Sequence, residues 1–178
     1  KEDYYVAFSR LVPYKRMDLA ISACLELGRK LVVIGGGSEF QNLQKLANGS
    51  PLIKFTGRAS DEDLLSYLQK AKALIFCAEE YYGFVPLEAQ ACGTPVIAFG
   101  RGGATETVVD GVTGTFFERQ ETSSLCQGIL KFEQMLENNV FKKQNIVRHA
   151  NSFSQERFQK EFLSIVDETI EKVKNSYK

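Results

Sequence analysis

Short, uninterrupted apolar runs alternate along this chain with stretches in which apolar residues recur at helical spacing. The runs are Tyr4 to Phe8, Leu31 to Ile34, Leu52 to Thr56, Ala73 to Cys77 and Val96 to Phe99, with Thr115 to Phe117 as an edge strand. Between the first two, Met17, Ala20, Ile21, Cys24 and Leu25 keep one helical face until Gly28. A second helix is predicted from about Ser38 to Ala47. A third opens at Ser60, with Asp63 three positions on in a capping arrangement, and buries Leu64, Leu65, Leu68 and Ala71. A further glycine-rich turn and helix cover Gly100 to Gly103 and Ala104 to Val109. Strands apolar on both faces and joined by helices predict an α/β fold, a Rossmann-like parallel sheet with helices on both faces. From Ser123 the pattern is helical, with Leu125, Ile129, Leu130 and Leu136 on one face. A last helix carrying Phe158, Phe162, Ile165, Val166, Thr169 and Val173 completes a helical C-terminal tail. There is no internal repeat and no low-complexity linker.

Parallel sheets of this kind bind ligands beyond the carboxyl ends of their strands. Those ends are Arg10, the Gly35 turn, Arg58, the stretch Glu80-Tyr81-Tyr82-Gly83-Phe84-Val85-Pro86-Leu87-Glu88 and the Gly102 turn, which should converge on one crevice. The Glu80 stretch is the most informative. Pro86 is pre-set for the first turn of a helix, so a helix is expected to start there and to leave the amides of Gly83, Phe84 and Val85 near an open, anion-attracting end. Glu88 would then fall in the first turn, where a carboxylate suits the helix dipole and can also accept from a vicinal diol such as a ribose. Glu80 approaches from the other side of the turn. The competing account is that Glu88 is only a favourable helix-start residue and Glu80 a solvated loop charge.

Composition narrows the classes. Acidic and basic residues balance at 22 each, which argues against a general nucleic-acid or membrane-surface role and leaves any important positive charge to be local. At 178 residues the expectation is one domain. Cys24, Cys77, Cys92 and Cys126 lie in apolar segments without metal-type spacing and read as reduced core residues of an intracellular protein. No signal peptide and no bilayer-length apolar run is found. The first residue is lysine and a strand follows at once, as in a piece of a longer protein.

Three other motifs carry less. Gly35-Gly36-Gly37 follows a strand, but a dinucleotide fingerprint wants glycine where Phe40 stands, so these glycines are read as letting a ligand or the backbone pass closely. Asp61-Glu62-Asp63 is explained by the first turn of a capped helix, with no metal expected. His149, the only histidine, lies in the helical tail, away from the strand ends. By contrast Arg10 and Lys15 flank Leu11-Val12-Pro13-Tyr14, between the first strand and the first helix. Two cations above an anion-binding helix end suit a diphosphate; the alternative is a pair of solvated charges.

Taken in order, Ser9-Arg10-Leu11 with Lys15, Gly35-Gly36-Gly37, Phe55-Thr56-Gly57-Arg58, the Glu80 to Glu88 stretch, Cys92-Gly93-Thr94-Pro95-Val96-Ile97 and Gly102-Gly103 with Glu106 resemble the C-terminal half of a retaining glycosyltransferase of family 4. Nearly the whole chain takes part. In wording it is most similar to bacterial and archaeal mannosyltransferases that build surface polysaccharides. The resemblance implies one half of a two-domain GT-B enzyme, cytoplasmic or peripheral to the inner face of the membrane. This half would hold a nucleotide-diphosphate sugar, with GDP-mannose the first expectation, and an N-terminal half would hold an acceptor, including one at a membrane surface. It implies no metal and no cofactor beyond the donor. Arg10 and Lys15 would neutralise the diphosphate, Glu80 would take hydroxyls of the transferred sugar, and Glu88 those of the ribose. Tyr82, Gly83, Phe84 and Val85 would meet sugar and phosphate, Arg58 would border the base, and Gly37 and Gly103 would lie among the donor contacts. Tyr82 stands where many members have phenylalanine, and Phe84 where a small aliphatic residue is usual, departures that bear on the identity of the sugar.

Overall fold

The structure, a computed structural model, describes residues 1–176. Six strands, β1 (Tyr5–Phe8), β2 (Leu31–Ile34), β3 (Ile53–Gly57), β4 (Leu74–Phe76), β5 (Val96–Phe99) and β6 (Gly114–Phe117), form one sheet in the order β3-β2-β1-β4-β5-β6. Every pairing is parallel, with Tyr5 opposite Leu31, Val6 opposite Leu74 and Val96 opposite Gly114. The helices are α1 (Met17–Leu27), α2 (Phe40–Ala47), α3 (Asp61–Lys70), α4 (Phe84–Ala91), α5 (Ala104–Thr107), α6 (Thr122–Glu137), α7 (Lys143–Asn151) and α8 (Gln155–Ser176).

Successive side chains of a strand point to opposite faces, so each continuous apolar run feeds two cores at once. Tyr5, Ala7, Leu31, Val33, Ile75, Ile97 and Phe117 pack under α1, α2 and α6. Val6, Val32, Ile34, Leu74, Phe76, Val96 and Ala98 pack under α3, α4 and α5. On the first face Gly128 of α6 lies against Phe117, a Cβ at that position falling 3.0 Å from the Phe117 Cβ, which is how the helix comes close to β6.

Several elements differ from the sequence expectation. Leu65, Leu130 and Leu136 are exposed rather than buried. Leu125 and Ile129 are buried as expected, and the inward stripe of α6 is completed by Phe132, whose ring stacks on Phe141; all three are 0% exposed. The helix after Gly103 is a single turn that ends at Thr107, because Val108 returns to extended backbone. Ser60 caps α3 as predicted, its hydroxyl accepting from the Asp63 amide at 3.1 Å. All four cysteines are unpaired; Cys24, Cys77 and Cys126 are buried, whereas Cys92, at the end of α4, is only partly buried rather than in the core, and desolvation pushes all four thiols up. Helix α8 buries none of its residues among those described, and Phe158, Phe162, Leu163, Ile165, Ile170 and Val173 all face solvent. Among the described residues no helix is long and apolar enough to cross a membrane.

Candidate donor site at the switch point of the sheet

Strand order reverses between β1 and β4, so the segments that leave their carboxyl ends diverge to opposite sides and open a crevice. The segment after β1 carries Arg10 and a 3-10 turn, Pro13–Lys15, that ends on Arg16 in the left-handed region. The segment after β4 carries Glu79 to Gly83. They meet where Lys15 Nζ donates to Glu80 Oε1, a pair whose side chains are only 12% and 18% exposed. Sixty-five residues of sequence separate them. Desolvation lowers the Lys15 pKa from its ordinary value. Arg10 and Arg58 are exposed, and neither side chain has a hydrogen-bonding or ionic partner among the described residues.

Backbone packing holds both walls. The Leu11 amide donates to the Gly36 carbonyl at 3.0 Å and the Glu39 amide to the Leu11 carbonyl at 3.0 Å. At Gly37 any Cβ would run into Leu11 backbone, so glycine is needed there for chain to pass chain. Arg58 lies along the same turn, its Cγ and Nε 3.8 and 3.9 Å from where a Cβ on Gly36 would stand. On the other wall the Gly103 amide donates to the Glu80 carbonyl at 2.6 Å. A Cβ on Gly103 would sit 2.6 Å from both the Tyr81 carbonyl oxygen and Tyr82 Cα. Gly37 and Gly103 thus wall the crevice, and close backbone approach alone accounts for both glycines.

Helix α4 begins at Phe84, two residues earlier than Pro86 predicts. The Leu87 amide closes back on the Gly83 carbonyl at 3.3 Å, so the first turn already forms over Gly83. Proline fits anywhere in a first turn, where its missing amide has no intrahelical partner. The open end therefore presents the amides of Phe84 and Val85, and Glu88 moves into the second turn. Tyr82 and Phe84 put their rings 4.6 Å apart at the rim, and Tyr81 is fully exposed. Glu88 remains accessible; partial desolvation, then the charge of Asp61 on α3, raises its pKa above the ordinary carboxylate value.

Behind the crevice the structure uses residues that sequence reasoning did not single out. Buried Gln90 donates from its amide to the carbonyls of Pro86 (3.1 Å) and Thr107 (2.8 Å). The Thr107 hydroxyl donates to the Gly103 carbonyl at 3.0 Å and stands 2.7 Å from where a Gly83 Cβ would be. His149 Nε2 meets the Thr107 carbonyl at 3.1 Å, a structural post for the only histidine. The one signal for Gln90 was its place four residues after Pro86, on the inner face of α4.

A cavity of about 480 Å³ between Glu79, Glu80, Tyr81, Gly102, Gly103 and Glu106 adjoins the pair. Among the described residues no cluster of three or more metal-type ligands occurs, and Asp61, Glu62 and Asp63 remain exposed helix-start charges.

A fully parallel sheet in this order, with a cation and a carboxylate paired at the switch point, defines the chain as a Rossmann-like α/β domain with a crevice at the carboxyl ends of its strands. It belongs to the glycosyl transferases group 1 family, whose pattern it matches over residues 1–156. It is 34% identical over 140 residues to the GDP-mannose-dependent alpha-(1-6)-phosphatidylinositol monomannoside mannosyltransferase of Mycolicibacterium smegmatis, covering 70% of this chain and 37% of that protein. It is 35% identical over 137 residues to the GDP-mannose-dependent monoacylated alpha-(1-6)-phosphatidylinositol monomannoside mannosyltransferase of Corynebacterium glutamicum, covering 69% of this chain and 36% of that protein. The chain therefore spans little more than a third of the length of these relatives. Its fold matches sucrose-phosphate synthase from Thermosynechococcus elongatus, with a TM-score of 0.82, 22% identity, and 95% of this chain and 46% of that one covered. It matches Anabaena Alr3699/HepE in complex with UDP and glucose with a TM-score of 0.79, 23% identity, and 93% and 48% covered. These neighbours are GT-B glycosyltransferases.

Proposed function

We propose that this chain is the donor-binding domain of a retaining, metal-independent glycosyltransferase that moves a hexose from a nucleotide-diphosphate sugar to an acceptor in glycolipid or polysaccharide synthesis. The observation that carries the proposal is the convergence of Lys15 and Glu80 at the switch point, beside the open end of α4. As the glycosidic bond breaks, positive charge grows at the anomeric carbon and negative charge on the departing diphosphate. Fixed cations and helix-end amides at the leaving group then lower the barrier. Arg10 and Lys15 supply the cations, Phe84 and Val85 the amides. Glu80 takes sugar hydroxyls, Glu88 the ribose diol, and Arg58 borders the base.

GDP-mannose is the first donor on the strength of the two mannosyltransferase relatives named above. The acceptor belongs to a second, N-terminal domain of the full-length protein. The exposed apolar stripe of α8 supports this, as a face made to be covered by protein. Attack on the same face as the leaving group would give retention.

Calorimetric titration with GDP, UDP, ADP and NAD tests the proposal. A nucleoside diphosphate should bind, and both Arg10→Ala and Glu88→Ala should weaken it. Binding of NAD alone, or indifference to both substitutions, would overturn the reading. In the full-length enzyme Glu80→Ala should abolish transfer.

A further inference from the structure

The ammonium assigned to the leaving diphosphate is engaged by the very carboxylate assigned to the sugar. We infer that Glu80, by contesting Lys15, makes this site select the intact nucleotide sugar over the nucleoside diphosphate that transfer leaves behind. The inference rests on the donor-site reading above.

Both partners are held on short, braced segments. Lys15 closes the 3-10 turn, its amide donating to the Val12 carbonyl at 3.1 Å. The Glu80 carbonyl is tied to the Gly103 amide, and Gly102 packs against the same backbone. With so little water reaching either head group, their mutual attraction is only weakly screened, and so is any repulsion felt by a third charge. A bare diphosphate that approaches Lys15 meets Glu80 beside it, with Glu79 and Glu106 lining the adjoining cavity. Sharing or breaking the pair leaves a partly buried carboxylate next to phosphate oxygens, and among the described residues Glu80 has no second side-chain donor to replace the ammonium.

An intact donor changes that balance. Its hexose lies between phosphate and Glu80, and hydroxyl groups can donate to the carboxylate as Lys15 turns to the diphosphate. The sugar subsite and the phosphate subsite are thus coupled through one ion pair. Once the anomeric carbon–oxygen bond has broken and the sugar has left, Glu80 loses its hydroxyl donors and competes again for Lys15. The site then turns against its own product.

Titrations of the full-length protein without acceptor test this directly, using GDP, UDP, GDP-mannose and UDP-glucose on wild type, Glu80→Gln, Lys15→Met and the double variant. Glu80→Gln is expected to bind the nucleoside diphosphate on the order of tenfold more tightly, within the range for adjacent coupled groups. It should bind the nucleotide sugar no better than wild type, so that the preference for donor over product collapses. In the Lys15→Met background the gain should shrink, since only the direct repulsion between Glu80 and the phosphates is then left to remove. Glu80→Ala, which removes the charge by another route, should shift diphosphate affinity in the same direction. Unchanged or weaker diphosphate binding in both Glu80 variants, or a gain just as large without Lys15, overturns the inference. If wild type binds a diphosphate and Arg10→Ala weakens it while the Glu80 variants gain nothing, this inference alone fails. If wild type binds no nucleoside diphosphate at all, the donor-site reading fails and this inference with it.

Discussion

The two edges of the sheet use similar residues for opposite ends. At the amino-terminal edge Arg29 makes two hydrogen bonds to Glu133 across α6, at 2.7 and 2.9 Å, and the hydroxyl of buried Tyr5 donates to the same carboxylate at 2.9 Å. A third Arg29 nitrogen donates to the Leu27 carbonyl. Arg29 and Glu133 thus have partners fixed by geometry. At the carboxyl-terminal edge Arg10 and Arg58 have none among the described residues, Lys15 has a single carboxylate, and the open end of α4 has amides to spare. Paired planar contacts close a network; cations and amides left over at a switch point are capacity for a ligand. Having charges is common to both edges, and what separates a brace from a site is whether the chain satisfies them itself.

The largest expected effect breaks the open edge through its backbone. In Gly103→Val the new side chain would collide with Tyr81 and Tyr82 backbone atoms that cannot rotate away, and would displace the segment that carries Glu80. Nucleoside diphosphate binding is expected to disappear in calorimetry. A variant that binds normally would show that this turn does not position the site.

Next comes a matched pair of arginine substitutions. Arg10→Met should weaken diphosphate binding by roughly 10- to 100-fold, the worth of a charge-assisted contact, and leave the melting temperature unchanged. Arg29→Met should leave binding unchanged. Because Arg29 is partly exposed, its loss should cost only about 1 kcal/mol, seen as a fall of about 2–4 °C in melting temperature. If both variants lost binding, the contrast between the two edges would be wrong.

A smaller effect concerns Glu88. Partial desolvation and Asp61 hold its carboxyl above the ordinary range, so as pH falls it takes a proton earlier than a free glutamate would. If the ionised form grips the ribose, diphosphate affinity falls through that raised range. Asp61→Asn should move the fall to lower pH and improve affinity a few-fold on the acid side. A superimposable pH profile would mean that Glu88 does not take the ribose.

Much of this contrast was legible in the residues, though unevenly. Leu31 to Ile34 and Val96 to Phe99 had to be buried strands because nothing in them could face water, and Ser60 with Asp63 marked a helix start through chemistry that needs no tertiary partner. The set of strand-end residues was also readable, since parallel connections bring them to one edge. Contact between Lys15 and Glu80 was not, because it depends on β1 lying next to β4, and strand order is decided by packing across the whole sheet. Local rules also misplaced the start of α4: Pro86 marks a first turn without saying which position in it. Periodicity alone puts Leu130 and Leu136 inside, whereas the buried stripe runs through Phe132, packed against Tyr5 and Phe141. In α8 the pattern correctly indicated a helix with an apolar face, but no pattern within one segment says what covers it.

The smallest effect sharpens the closed edge by acid. The hydrogen bond from Arg29, with a further one from Tyr5, holds the Glu133 carboxyl below its ordinary value of 4.5. A carboxylate whose folded value is lowered contributes stability that is fully present above its unfolded value and is lost as pH falls through the folded one. The contribution should therefore be intact above about pH 5 and fade below the ordinary carboxylate range. Glu133→Gln keeps the shape and removes the titration, so the variant should melt slightly lower than wild type at neutral pH, and the gap should narrow on going to pH 3. Solvent exposure of the Arg29 side chain keeps the difference to a degree or two. A gap that stays constant from pH 7 to pH 3 would mean that the network braces the edge by packing of Tyr5 and α6 rather than by charge. A gap that widens in acid would reverse the sign of the linkage.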